Sequence, residues 1–265
     1  MKNILVPIGS SNGAITTLQY AIDLAEKIDA NVYVISVFQE FSRVGGMSKV
    51  NTLLKEESEN RITEVLNTVD KKEVSVIAHP IKGEILEGVK RFNSHVPVDL
   101  MVLSPRSNSQ RDEVYLGKTS GKLVKDTNIP VLVVPENEVF KVPEKILMAF
   151  KNGKFAKKKL LEPLYKIQNY FNSEVHLLHV ETPENTSEML EVSGKLKRIS
   201  ASYTQTKNAT TYQGVLEHYQ SVEPDMICVV RRKRGFFKKL WEANAVLKRD
   251  FYTTKPLLIL RVQED

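Results

Sequence analysis

The sequence predicts an α/β protein made of two tandem doubly wound units. Two observations carry that prediction. Short apolar runs alternate with amphipathic helical patterns, the signature of a parallel sheet covered on both faces. The same runs then recur in the same order in the second half of the 265-residue chain.

Taken in chain order, Ile4–Val6 forms a first strand and recurs as Ile146–Met148. Ile15, Leu18, Ile22 and Ala25 share one helical face that Ser10, Ser11 or Asn12 can cap, and Leu160, Leu164, Ile167 and Phe171 repeat that face. The run Ala30–Val37 recurs as Ser173–Val180. Met189, Val192, Leu196 and Ile199 mark a further helix in the second copy. Val98–Val102 recurs as Pro224–Cys228, Leu240, Ala243, Leu247 and Phe251 mark a last helix, and Thr127–Val134 recurs as Thr254–Leu260. Each copy reads β-α-β-α-β-α-β-α-β.

The offset between copies is 142 residues at Ile4 and Ile146, but 126 at Asp99 and Asp225 and at Pro130 and Pro256. The second copy is therefore about 16 residues shorter in its middle, and loops absorb such losses best. Phe38–Lys49, with Gly45-Gly46, has no clear match after Val180. Pro135–Pro143, proline at each end and mostly polar between, is the natural linker, giving one unit over 1–137 and another over 144–265.

Composition narrows the classes. A hydrophobic fraction of 42% and a charged fraction of 26% fit a folded globular chain. No apolar run reaches the roughly 18 residues of a membrane span, and the opening MKNILVPIG is too short for a secretory signal. The single cysteine, Cys228, forms no internal disulfide and suits a reducing compartment, so a cytoplasmic location is expected. Within Met226–Val230 it reads as a small buried hydrophobe. The net charge of +6 comes partly from Lys157–Lys159 and Arg231–Arg234.

Ile4-Leu5-Val6-Pro7-Ile8-Gly9, the motif ending at Gly117-Lys118-Thr119 and the closing Pro130–Val134 resemble the universal stress protein family across essentially the whole chain. The resemblance implies a flavodoxin-like (adenine nucleotide alpha hydrolase-like) sandwich in each copy, a five-stranded parallel sheet of order 3-2-1-4-5. It implies that Val131–Val134 and Leu257–Leu260 pair within the chain, satisfying two sheet edges, and leaves a further homodimer open. It also places a ligand crevice at the carboxyl ends of strands 1 and 4, which in nucleotide-binding members holds ATP.

In the first copy the family's Gly-x-x-Gly turn lines up as Ser104-Pro105-Arg106-Ser107, followed after nine residues by Gly117-Lys118-Thr119. Gly9 stands where the family has Asp, and both turn glycines are serine, which tolerates positive φ less well. Pro7, Ile8, Gly9, Val37, Ser104, Arg106, Ser107, Gly117, Lys118 and Thr119 are the candidate nucleotide residues. The second copy departs further, with Ala149-Phe150-Lys151 at the first strand's end, Arg231–Arg234 at the turn and Asn244-Ala245 for the Gly-Ser pair. Phe150 crowds the base position, and Lys151, Arg231 and Arg234 are candidates for an anion site.

Other motifs weigh less. Gly117-Lys118-Thr119 mimics a Walker A loop, yet the glycine required five residues earlier is Asp112. Gly9-Ser10-Ser11-Asn12-Gly13 fits a hydrolase elbow and makes a Ser11 esterase the enzymatic alternative. His176 and His179, three apart on a strand, face opposite ways, so no metal site is expected there, nor at His79, His95 or His218. Nucleic-acid binding rests only on the basic balance, because Phe236, Phe237 and Trp241 fit the last helix's apolar face. The expectation is a non-enzymatic stress protein with degenerate crevices and no resident cofactor. ATP in the first crevice, held by Ser104, Arg106, Ser107 and Gly117–Thr119, is the alternative.

Overall fold

A computed structural model of the chain describes residues 1–9, 13–38, 48–105, 114–151, 158–183, 194–231, 246–247 and 254–261. In the first half these form β1 (Asn3–Pro7), α1 (Ala14–Ile28), β2 (Asn31–Phe38), α2 (Ser48–Thr68), β3 (Val76–Lys82), α3 (Ile85–His95), β4 (Leu100–Leu103), β5 (Val114–Leu116), α4 (Lys118–Asp126) and β6 (Val131–Val133). The second half contributes β7 (Lys145–Phe150), a 3-10 turn (Lys158–Leu161), α5 (Glu162–Phe171), β8 (Glu174–Glu181), α6 (Gly194–Ile199), β9 (Ser200–Lys207), α7 (Thr211–Val222), β10 (Met226–Arg231), β11 (Val246–Leu247) and β12 (Leu257–Arg261). No described helix is long and apolar enough to cross a membrane.

Ten strands build one sheet in the order β3-β2-β1-β4-β6-β12-β10-β7-β8-β9. Numbered within its own half, each set of five follows 3-2-1-4-5, all parallel. The two sets meet where β6 and β12 run antiparallel, with Leu132 opposite Leu258. The central strands are apolar on both faces because helices cover both. One layer holds Ile4, Val6, Leu18, Val34, Ile62, Leu164 and Leu177, and the other holds Leu5, Val89, Leu123, Val131, Val180 and Ile259.

Local chemistry repeats between the halves. Asp99 Oδ2 accepts hydrogen bonds from the Lys2 and Asn3 amides at 2.7 and 3.2 Å, and Asp225 Oδ2 does the same for Glu144 and Lys145 at 3.0 Å each. Both carboxylates tie strand 4 of a half to the start of its strand 1. Helices α1 and α5 each stop on a left-handed residue, Asp29 and Asn172. Gly88 and Gly214 occupy the same place in α3 and α7, where an added Cβ would lie 2.9 Å from Ile81 and 2.8 Å from Val180. In the linker, Phe140 packs edge-on to Tyr20 of α1 (5.2 Å between ring centres) and against Phe171 of α5 (6.2 Å).

Three expectations need correction. The cap position of α1 is Gly13, with no side-chain cap, while Ser10, Ser11 and Asn12 lie outside the described residues. Ile15, expected on the buried face, is exposed; Leu18, Ile22 and Ala25 fill that face without it. The last helix expected through Leu240, Ala243, Leu247 and Phe251 fails at Leu247, which belongs to β11 and pairs antiparallel with Val114 of β5; the other three lie outside the described residues. The cause is the cross-half pairing itself, since β-branched Val246 finds a strand partner distant in sequence.

Residues 39–47 and 184–193, where the two copies differ in length, lie outside the described residues. Among the described residues, helix α2 spans 21 and its counterpart α6 spans 6. Leu196 of α6 is fully buried, and Met189 and Val192 lie outside the described residues.

Candidate functional site

In each half the strand order reverses between strands 1 and 4, whose carboxyl ends are where open α/β sheets bind ligands. In the first half, Pro7 ends β1 and the Ile8 amide donates to the Ile35 carbonyl at 2.8 Å, so the chain stays on the sheet one residue longer. Gly9 is exposed, and a Cβ there would meet nothing within 4 Å among the described residues. Gly13 brings the start of α1 against the end of β4: a Cβ on it would stand 3.3 Å from Ser104 Cβ.

The far side of this crevice is the start of α4. The Gly117 amide donates to the Pro105 carbonyl at 3.1 Å, and Ser120 Oγ donates to the Ser104 carbonyl at 3.1 Å. Gly117 is the cap residue of α4 at φ −62°, a conformation open to any residue, and the first turn of α4 carries no acidic side chain. The helix therefore presents the positive end of its dipole beside β4. Lys118 is its first residue and Thr119 is exposed. Val37 lies higher on β2 and turns toward α3, 3.8 Å from a Cβ placed on Gly88. Arg106 and Ser107 lie outside the described residues.

The second crevice is built differently. Phe150, buried at the end of β7, stacks on His179 of β8 with ring centres 5.6 Å apart and planes inclined by 12°. His179 Nε2 lies 3.1 Å from the Lys151 carbonyl and Nδ1 lies 3.3 Å from Tyr203 Oη. A carbonyl only accepts, so Nε2 carries the proton and Nδ1 accepts from the tyrosine. Burial, then the Glu181 carboxylate, raises the Tyr203 phenol and keeps it a donor. Arg231 ends β10; its side chain, Arg234 and Asn244-Ala245 lie outside the described residues.

Register makes the two halves directly comparable. Pro7 pairs with Ile35 as Ala149 pairs with Leu178, so Ile8 and Ser36 stand where Phe150 and His179 stand. A stacked aromatic pair in one half is an isoleucine and a serine in the other. The Ser36 hydroxyl is fully buried and has no hydrogen-bond partner among the described residues. Ser36, His179 and Tyr203 were not among the site residues expected from sequence, although the alignment of Val37 with Val180 also sets Ser36 beside His179.

His176 bonds Ser202 Oγ at 2.8 Å, away from the His179 stack. Among the described residues no group of three or more His, Cys, Asp or Glu could hold a metal ion. Burial pushes the Cys228 thiol well up, and it sits in the middle of the sheet. Ser11 of the elbow motif lies outside the described residues.

Comparison with known proteins gives these crevices a lineage. The model of the universal stress protein family matches residues 1–135. The chain belongs to that family. A universal stress protein of Methanocaldococcus jannaschii is 25% identical over 138 residues, covering 50% of this chain and 81% of that protein. The crystal structure of a universal stress protein from Archaeoglobus fulgidus superposes with a TM-score of 0.72 at 16% identity, covering 99% of this chain and 97% of that one. A functionally unknown protein from Pseudomonas aeruginosa gives 0.59 at 12% identity, covering 98% and 92%. These full-length likenesses establish the fold, in which two family-like halves share one sheet.

Proposed function

We propose that this universal stress protein is a non-enzymatic, cytoplasmic stress-response protein that works by binding, with degenerate nucleotide crevices. The observation that carries this reading is the Phe150–His179 stack, locked by the Lys151 carbonyl and Tyr203, at the carboxyl end of β7. Side chains of the protein itself occupy the ground where a base would lie. In the first half, the serines at 104 and 107 in place of glycines, and Gly9 in place of the family's Asp, weaken the grip on phosphate and ribose. Binding of a small ligand or partner is then left to the first crevice and the outer surface.

A second reading has its own support. The lack of any described neighbour within 4 Å of a Cβ at Gly9 and the α4 amide end capped by Gly117 suit a nucleotide in the first crevice, with ATP as the probe. Isothermal titration of the full chain with ATP, with and without Mg²⁺, separates the two. The degenerate reading expects no micromolar binding. Micromolar binding lost in Gly117→Asp would hand the site to ATP, because a cap aspartate suits a helix start yet repels phosphate.

A further inference from the structure

The second half carries two buried hydroxyls with no partner among the described residues, on the opposite sheet face from the Phe150–His179 stack. Thr182 follows β8 and Thr211 is the first residue of α7; they are 3% and 5% exposed. Neither hydroxyl has a hydrogen-bond partner among the described residues. Leaving one such group unpaired inside a protein is costly, and two together call for an explanation.

Their placement follows from helix and strand periodicity. Thr211, Gly214 and Val215 form the buried face of α7. Gly214 lies so close to the sheet that a Cβ on it would be 2.8 Å from Val180 Cγ2. Thr182 is two residues beyond Val180, on the same face of the sheet. One turn back along α7 and two residues on along β8 bring Thr211 over Thr182. Both hydroxyls therefore lie toward the amino end of a 12-residue helix.

The electrostatics at that end favour negative charge. The first turn of α7 has no acidic residue, so the helix dipole acts unopposed. Among the described residues, the carboxylates of Glu181 and Glu217 are engaged elsewhere. Glu181 faces Lys207 Nζ at 3.7 Å and accepts from Gln205, while Glu217 accepts from Asn208 Nδ2 at 2.7 Å. Thr210 Oγ1 accepts from the Gln213 amide at 3.1 Å, so the cap serves the third residue of the helix and leaves Thr211 Oγ1 unsatisfied. In the first half, Ile85 occupies the place of Thr211, three residues before Gly88. The hydroxyl pair belongs to the second half alone.

We propose that Thr182, Thr211 and the amino end of α7 form a binding site for a small oxyanion of the phosphate or sulfate class, on the opposite sheet face from the Phe150–His179 stack. The hydroxyls donate to its oxygens and the helix end supplies the positive potential. The test is thermal unfolding of the full chain in inorganic phosphate or sulfate against chloride at equal ionic strength. Wild type gains midpoint temperature in the oxyanion. Thr182→Val and Thr211→Val weaken phosphate binding about tenfold or more and lose that gain, yet are no less stable in chloride, since each removes an unpaired buried hydroxyl. Thr211→Ser retains the gain, and so does Gly117→Asp, which touches only the first crevice. An equal gain in wild type and both valine variants, or no gain in wild type, overturns the site.

Discussion

Among single residues, Asp99 shows how a paired carboxylate holds the fold. Burial opposes its charge, but the amides of Lys2 and Asn3 and the Lys166 ammonium at 3.6 Å hold the carboxyl below its ordinary value. A depressed folded pKa stabilises the protein at pH values above the ordinary carboxylate range near 4. That stabilisation fades as pH falls through the folded pKa. Asp99→Asn should therefore cost about 1–2 kcal/mol at neutral pH, and the gap to wild type should close in urea melts repeated below about pH 4. A gap that stayed constant down to pH 2 would show that the carboxylate charge is not what matters. Gly88 and Gly214 act by absence: alanine at either must push Ile81 or Val180 aside. Each substitution should destabilise by roughly 1–3 kcal/mol, despite alanine's better helix propensity, and a rise in stability would mean the sheet yields freely. Gly9 is the opposite case, since no described residue would touch its Cβ. If the first crevice keeps any nucleotide affinity, Gly9→Asp should raise it about tenfold through a charge-assisted hydrogen bond to ribose, as titration with ATP would register; no change would leave Gly9 outside any nucleotide site.

Elements show where sequence patterning succeeds and where it stops. The strand runs Ile4–Val6, Val32–Val37, Val175–Val180 and Leu257–Leu260 were legible because burial on both faces leaves continuous apolar stretches. Helices α1 and α5 were legible from their 3.6-residue stripe. The pairing of β5 with β11 was not, because Val114–Leu116 and Val246–Leu247 are too short to signal a strand, and each forms one only against the other. The crevices were half legible. Motif positions located Pro7–Gly9, Ser104 and Gly117, but the stack of Phe150 on His179 joins adjacent strands, and only register reveals it. Helix ends obey the same division. Glu223, the C-cap of α7, sits at φ 48°, a left-handed conformation that glycine adopts more cheaply. Glu223→Gly should stabilise the chain by up to about 1 kcal/mol, and a loss in its urea midpoint would show that the glutamate side chain contributes more than its backbone costs.

At the level of the molecule, ten strands in one sheet raise the question of whether the halves unfold as one. The antiparallel seam of β6 and β12 buries Leu132 and Leu258 completely, Phe140 bridges α1 and α5, and Arg261 donates to the Thr127 carbonyl across the same junction. Separating the halves would expose two apolar strand edges, so partial unfolding gains little over complete unfolding. Cys228 offers a direct probe. It is fully buried in β10 and its thiol is held protonated, so a thiol reagent reaches it only after the second half opens. Ile62 is a buried residue of α2 in the first half, on the layer covering the strands farthest from Cys228. Ile62→Ala should cost about 2–5 kcal/mol. In a cooperative sheet that loss appears in full at Cys228, as labelling roughly 30-fold to several thousand-fold faster when closing outpaces the reagent. Labelling unchanged by Ile62→Ala, beside a lowered first-half stability, would mean that the seam joins two independent folding units. The duplication would then have fused two sheets without merging their stability, and a ligand in the first crevice could not alter the opening of the second half through the sheet.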